Sequence, residues 1–174
     1  MAPRKSSKTD PQILEMPSQK MAIVQAKGAP NKVFPEFLPA LFGSVYTLKF
    51  NLKKKGLPTF KVSAPRTRYP DAFNLPMEEW TLIIGIPVPE DVTSLPQKVA
   101  GTEVKLETWE YGTVGQILHL GPYDQEGPAV ERLHHFIAEN GCKIAGPHEE
   151  EYLSMPDAKV VKTIIRYQIK KKQH

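Results

Sequence analysis

VGQILHLGPYDQEGPAVERLHHFIAENG, residues 114–141, carries in one run the signals from which the fold is read. Residues 114–120 are rich in branched and apolar side chains and read as a strand, which Gly121-Pro122-Tyr123 breaks. Pro128 then stands in what would be the first turn of a helix. Ala129, Val130, Leu133, Phe136 and Ile137 form one apolar face, and Asn140-Gly141 supplies the stop. Further strands are expected at 104–111, joined to the first at Gly112, and at 149–153 and 160–169.

The first half of the chain repeats this order. Met21-Ala22-Ile23-Val24-Gln25-Ala26 reads as a strand, broken by Gly28-Ala29-Pro30-Asn31. Phe37, Leu38, Leu41, Phe42, Val45 and Leu48 recur at helical spacings, which predicts a helix over about 36–50, with Pro35 and Pro39 before it or in its first turn. Strands are predicted at 60–62 and 80–86, with the proline-marked stretch 64–77 as a loop and 88–102 as a connector. Thr81-Leu82-Ile83-Ile84 is answered by Thr163-Ile164-Ile165. Two copies are too few for a solenoid. The expected fold is α+β, a tandem pair of β-α-β-β modules at about 21–95 and 103–172, related by a pseudo-two-fold axis with a central ligand cleft.

Composition agrees with one ordinary domain: 174 residues, 40% of them apolar. The longest apolar runs fall far short of the roughly 20 residues that cross a bilayer. Residues 1–20, with three prolines, serines and mixed charge, read as a disordered basic tail without the apolar stretch of a secretory signal. The single Cys142 excludes an internal disulfide and fits a reducing cytoplasm, most simply as a small buried thiol. The net charge of +4 lies in residues 1–20 and in Lys170, Lys171 and Lys172, read as solvated ends, so no nucleic-acid partner and no membrane partner is expected.

The most informative peptide for chemistry is His148-Glu149-Glu150-Glu151-Tyr152-Leu153. On a strand, His148, Glu150 and Tyr152 share one face, and Glu149, Glu151 and Leu153 the other. A carboxylate among aromatics could hold a cationic ligand or act as a base on water, and burial there would raise its pKa. The alternative reading is a solvated edge of three glutamates. Trp80, Trp109, Tyr46, Tyr69 and Tyr152 are candidate aromatic walls, though each also suits a core. Tyr123, after Gly121-Pro122, reads as structural, and His119 as a strand histidine with a satisfied hydrogen bond. His134 and His135 are adjacent on a helix and point apart, so they form no same-face metal pair, and no metal site is expected. No phosphate-cradling or dinucleotide glycine motif is present, so no cofactor is implied.

Leu118-His119-Leu120-Gly121-Pro122-Tyr123-Asp124-x-Glu126, a helix ending at Asn140-Gly141, Glu150-x-Tyr152-Leu153-Ser154-x-Pro156 and Lys162-Thr163-Ile164-Ile165-Arg166 together resemble the GyrI-like small-molecule-binding domain family. The first half resembles it more loosely, at Gly28-x-Pro30-Asn31, Tyr46-Thr47-Leu48-Lys49 and Trp80-Thr81-Leu82-Ile83-Ile84, for a coverage of about 20–170. The resemblance implies a small hydrophobic or aromatic ligand, held by a monomer or weak dimer. Relatives include effector domains of multidrug-responsive regulators, a gyrase-protecting protein, and free-standing hydrolases of cyclopropane-bearing DNA alkylators of the yatakemycin type. No DNA-binding segment accompanies the domain in this chain, which points to the free-standing kind.

In such hydrolases the glutamate of the Glu-x-Tyr motif looks central to the reaction, and the resemblance places that role on Glu150. One departure stands out. Where many free-standing relatives read Pro-Leu-Glu-Gly-x-Trp, this chain has Ala64-Pro65-Arg66-Thr67-Arg68-Tyr69, so Arg66 replaces an acid and Tyr69 a tryptophan. The local charge changes by two units, which weakens attraction for cationic ligands. The expected function is sequestration or detoxification of such a molecule, with hydrolysis by Glu150 as its sharper form. The alternative is a protein-interaction module of the gyrase-protecting type.

Overall fold

The computed structural model describes residues 7–155 and 157–173. In chain order the elements are β1 (Gln12–Met16), β2 (Gln19–Lys27), α1 (Pro30–Lys54), β3 (Arg66–Tyr69), β4 (Thr81–Pro87), β5 (Lys105–Trp109), β6 (Gly112–Leu120), α2 (Gly127–Glu139), β7 (Cys142–Ile144), β8 (His148–Tyr152) and β9 (Lys162–Lys171). The fold is α+β, and the strand pairs β1–β6, β2–β4, β2–β5, β3–β4, β6–β9, β7–β9 and β8–β9 are all antiparallel. The chain divides into two compact units: Pro17–Tyr111, and the residues before Pro17 together with those from Gly112 onward.

In the Pro17–Tyr111 unit, β4 lies between β3 and β2, and β5 extends the far side of β2. Val24, Leu82, Ile84 and Ile86 from these strands pack with Val33, Leu41 and Val45 of α1. The helix opens at Pro30 and runs far beyond the predicted 36–50, so Pro35 and Pro39 fall inside it rather than at its start. Each interior proline costs about 3 kcal/mol. Burying Val33, Leu41 and Val45 stabilises by about 1.5–3 kcal/mol each, enough to carry the helix through both.

Two strand expectations change here. Residues 60–62 form no strand, whereas β3 falls inside the stretch expected to be a loop. Pro65 and Pro70 flank those four residues without interrupting them, and Thr67 and Tyr69 turn to the buried side while β3 pairs with β4.

In the other unit, β6 lies between β1 and β9, and β9 lies between β6 and β8, with β7 pairing the end of β9. The strand β1 occupies part of the expected tail, and β2 begins at Gln19. Its composition reads as tail because main-chain pairing, not side-chain burial, makes it a strand; Ile13 stays 36% exposed. Residues 1–6 of the tail lie outside the described residues. Lys170 and Lys171 are exposed as expected, but they belong to β9.

Helix α2 packs Leu133 and Ile137 on Ile117, Ile165, Tyr167 and Ile169. Gly115 permits the approach, since a Cβ there would lie 3.0 Å from Ile137 Cγ1. Arg132 of α2 also donates to the Thr9 carbonyl at 3.0 Å and to Asp10 at 2.7 Å. In one unit β4 sits between β2 and β3, and in the other β9 sits between β6 and β8. Among the described residues no helix is long and apolar enough to cross a membrane.

Candidate functional site

The alternation expected of 148–153 holds on β8 and sorts its three glutamates. On one face Glu149 pairs in register with Arg166 of β9, which pairs in turn with Gln116 of β6. Arg166 donates Nη1 to Glu149 at 2.7 Å and Nε to Gln116 at 2.9 Å, and Glu151 lies 3.7 Å from the same Nη1. Glu149 and Arg166 are deeply buried, at 2% and 4% exposed. The solvated edge is thereby excluded for Glu149 and Glu150.

On the other face Glu150, 9% exposed, is held from two sides. The Tyr152 hydroxyl donates to Oε1 at 3.1 Å, and His148 Nε2 lies 2.6 Å from Oε2. A carboxylate only accepts, so Nε2 carries the proton, and Nδ1 shares a hydrogen bond of 2.6 Å with the Tyr167 hydroxyl. Tyr123, just before α2, meets the Tyr152 ring edge-on at 5.7 Å. His134 of α2 meets the Tyr167 ring at 5.1 Å.

A second carboxyl enters from α2. Glu126 is the N-cap residue of that helix, yet its side chain makes no capping bond. Instead Glu126, His148 and Glu150 each present a polar atom within 4.8 Å of the others, and Glu126 Oε1 is buried with no hydrogen-bond partner. Two full charges at that separation repel by about 3–4 kcal/mol at an effective dielectric of 20. Burial first, then the Glu150 charge and a hydrogen bond to Glu150, push Glu126 up to about 9. The helix N-terminus pulls the other way by only about 0.3–1 kcal/mol, under one pH unit, so burial and repulsion win. The carboxyl that burial lifts is thus Glu126.

The same environment raises Tyr167, through burial and then the charges of Glu150 and Glu126, and raises Tyr123 for the same kinds of reason. His134 is lowered by burial and by charge on His148. Both nitrogens of His148 are engaged in hydrogen bonds, so the cluster is built around proton sharing. Chemically it combines an accepting carboxylate, a protonated acid and aromatic edges in one buried place.

A profile of the GyrI-like small molecule binding domain family matches residues 9–169 of the chain. The chain belongs to that family. Among solved structures, an uncharacterized conserved protein from Listeria innocua is similar to this GyrI-like domain with a TM-score of 0.81 and 22% identity, covering 94% of this chain and 93% of that one. A hydrolase from Listeria innocua gives 0.78 and 22%, covering 95% and 94%. The EcmrR C-terminal domain gives 0.68 and 15%, covering 94% and 98%. At these identities the likeness is one of fold. No curated protein sequence matches.

Of the residues singled out from sequence, Glu150 and Tyr152 meet on β8, whereas Tyr46, Arg66, Tyr69, Trp80 and Trp109 belong to the Pro17–Tyr111 unit of the GyrI-like domain. Trp80 meets the Tyr69 ring edge-on at 6.1 Å and donates its indole N–H to the Leu75 carbonyl at 2.9 Å. Arg66 donates to the Tyr111 hydroxyl at 3.0 Å. The Arg68 guanidinium lies 4.3 Å over Trp109, which is 1% exposed. Tyr46 stacks between Phe42 and Phe50 along an exposed side of α1. His119 bonds the Pro122 carbonyl at 2.9 Å and Cys142 is buried, both as expected.

Sequence reasoning missed Glu126, Tyr167 and the part played by Tyr123. His148 was visible through alternation alone. Glu126 stood at the end of a quoted family motif but carried no role there, because a helix start with an acidic residue ordinarily reads as a cap.

Proposed function

We propose that this GyrI-like domain binds a small hydrophobic or aromatic molecule beside Glu150, for sequestration or detoxification, and hydrolyses those ligands that carry a strained electrophilic ring. One observation carries the reading. Glu150 is a buried carboxylate fixed by His148 and Tyr152, with the Tyr123 ring alongside, and such an oriented acceptor can hold a water molecule for attack. In the reaction the water oxygen bonds to a ring carbon and the strained C–C bond breaks. Its electron pair passes to the conjugated acceptor, and the water's proton goes to Glu150. The order β2-α1-β3-β4, answered by β6-α2-β8-β9 with the short β7 set between α2 and β8, supports two copies of one module, and a solved hydrolase of the same fold supports the reaction class.

Tyr152 is proposed as a ligand contact, and Arg66, Tyr69, Trp80, Trp109 and Tyr46 are carried in the same reading. Trp80, half-buried, and Tyr46, exposed, have ring surface left to offer, while Trp109 has little. The test is a thermal-shift panel of planar aromatic, cationic and anionic compounds, with a cyclopropane-bearing alkylator followed by mass spectrometry. Stabilisation or ring-opened product that is lost in Glu150→Gln supports the reading. Binding and turnover unchanged in that variant, or no shift with any compound, overturns it.

A further inference from the structure

Two carboxyl groups share this site, and their surroundings differ in kind. Glu150 receives the Tyr152 hydroxyl and His148 Nε2, both donors. Glu126 receives neither; it leaves its own helix uncapped, and its Oε1 is buried without a partner within reach of Glu150 and His148. Donors collected on one carboxyl and withheld from its neighbour place the negative charge on the first and a proton on the second.

We propose that Glu126 is a second catalytic residue of this site, delivering its proton to an acceptor oxygen on the bound molecule as Glu150 takes up the proton of the attacking water. The inference rests on the reading of Glu150 given above. The balance closes within the pair: water supplies the new C–O bond and one proton to Glu150, and the broken C–C bond sends its electron pair through the conjugated system to a carbonyl oxygen. Glu126 protonates that oxygen, and a proton passing from Glu150 to Glu126 resets both. The ligand class narrows accordingly to a neutral, conjugated, carbonyl-bearing aromatic compound, because a held proton favours an acceptor over a permanent cation. Glu126 faces Glu150 and His148 of β8, Tyr167 of β9 and Tyr123 before α2, with Tyr152 set against Glu150 and His134 against Tyr167.

The test follows the Glu126 carboxyl carbon by NMR in glutamate-labelled protein without ligand, assigned through Glu126→Gln, or through Glu126→Asp should the glutamine variant not fold. It is expected to stay protonated at neutral pH and to titrate near 9. In the kinetic arm, a cyclopropane-bearing dienone is offered to Glu126→Gln. Binding, read by thermal shift, is expected to persist while ring opening slows about a hundredfold or more. Titration of Glu126 with the ordinary glutamates, or wild-type turnover in Glu126→Gln, overturns the assignment of Glu126 alone while Glu150-dependent binding stands. Absence of any Glu150-dependent binding overturns the underlying reading, and this one with it.

Discussion

Glu149 and Glu150 are neighbours on one strand and almost equally buried, yet they meet opposite electrostatic fates. Strand alternation turns Glu149 onto Arg166, where a full positive charge compensates it inside a rung that also includes Gln116. Glu150 is turned to His148, Tyr152 and a second carboxyl from α2. The first arrangement neutralises charge and holds three strands together. The second leaves charge and a proton in reserve, the condition for binding or acid–base work. Burial alone therefore says nothing of role, and the partner decides it.

The largest effect should come from breaking the compensated face. Arg166→Met takes a buried charged partner from Glu149, and urea unfolding is expected to show a loss of about 3–5 kcal/mol. Adding Glu149→Leu should recover most of that loss, as the two sites are directly coupled. A small loss in the single variant would mean that Arg166 is not what compensates Glu149.

On the other face, Glu150→Gln is expected to leave stability within about 1 kcal/mol of wild type, because the amide oxygen still accepts from Tyr152 and His148 can take its other tautomer to accept from the amide nitrogen. Ligand stabilisation and turnover should fall about a hundredfold. Equal destabilisation by Glu150→Gln and Arg166→Met would erase the contrast between the two faces.

The proton on Glu126 gives the comparison a pH signature. The folded chain keeps this proton up to about 9, whereas an unfolded one releases it near the ordinary 4.5. Its contribution to stability is therefore whole below pH 4.5 and is lost as the pH rises towards 9, with a slope of at most about 1.4 kcal/mol per pH unit. Unfolding measured across that window should show the decline in wild type, and Glu126→Gln should flatten it. The smallest change expected is Tyr152→Phe, which removes one donor from Glu150 and should cost about 1 kcal/mol in unfolding.

Much of this was legible before any coordinates. Apolar spacing and the stop at Asn140-Gly141 located α2, period-two alternation sorted the β8 glutamates, and the Gly-Pro break at 121–122 marked the end of β6. Where reading failed, local rules met a tertiary override. Pro35 and Pro39 argued for a later helix start, but the buried face of α1 outweighs them. The prolines at 65 and 70 hid β3, whose pairing with β4 lies between them. The polar segment before Pro17 concealed β1, which has little side-chain burial to announce it.

The sequence by itself determined which residues alternate on each strand and which face of each helix is apolar, because those follow from the 2.0 and 3.6 periodicities of the backbone. Tertiary structure alone decided that Arg166 meets Glu149 and that Glu126, twenty-four residues before Glu150, arrives beside it. Charge interactions depend on distance and burial in space, and neither is encoded in separation along the chain.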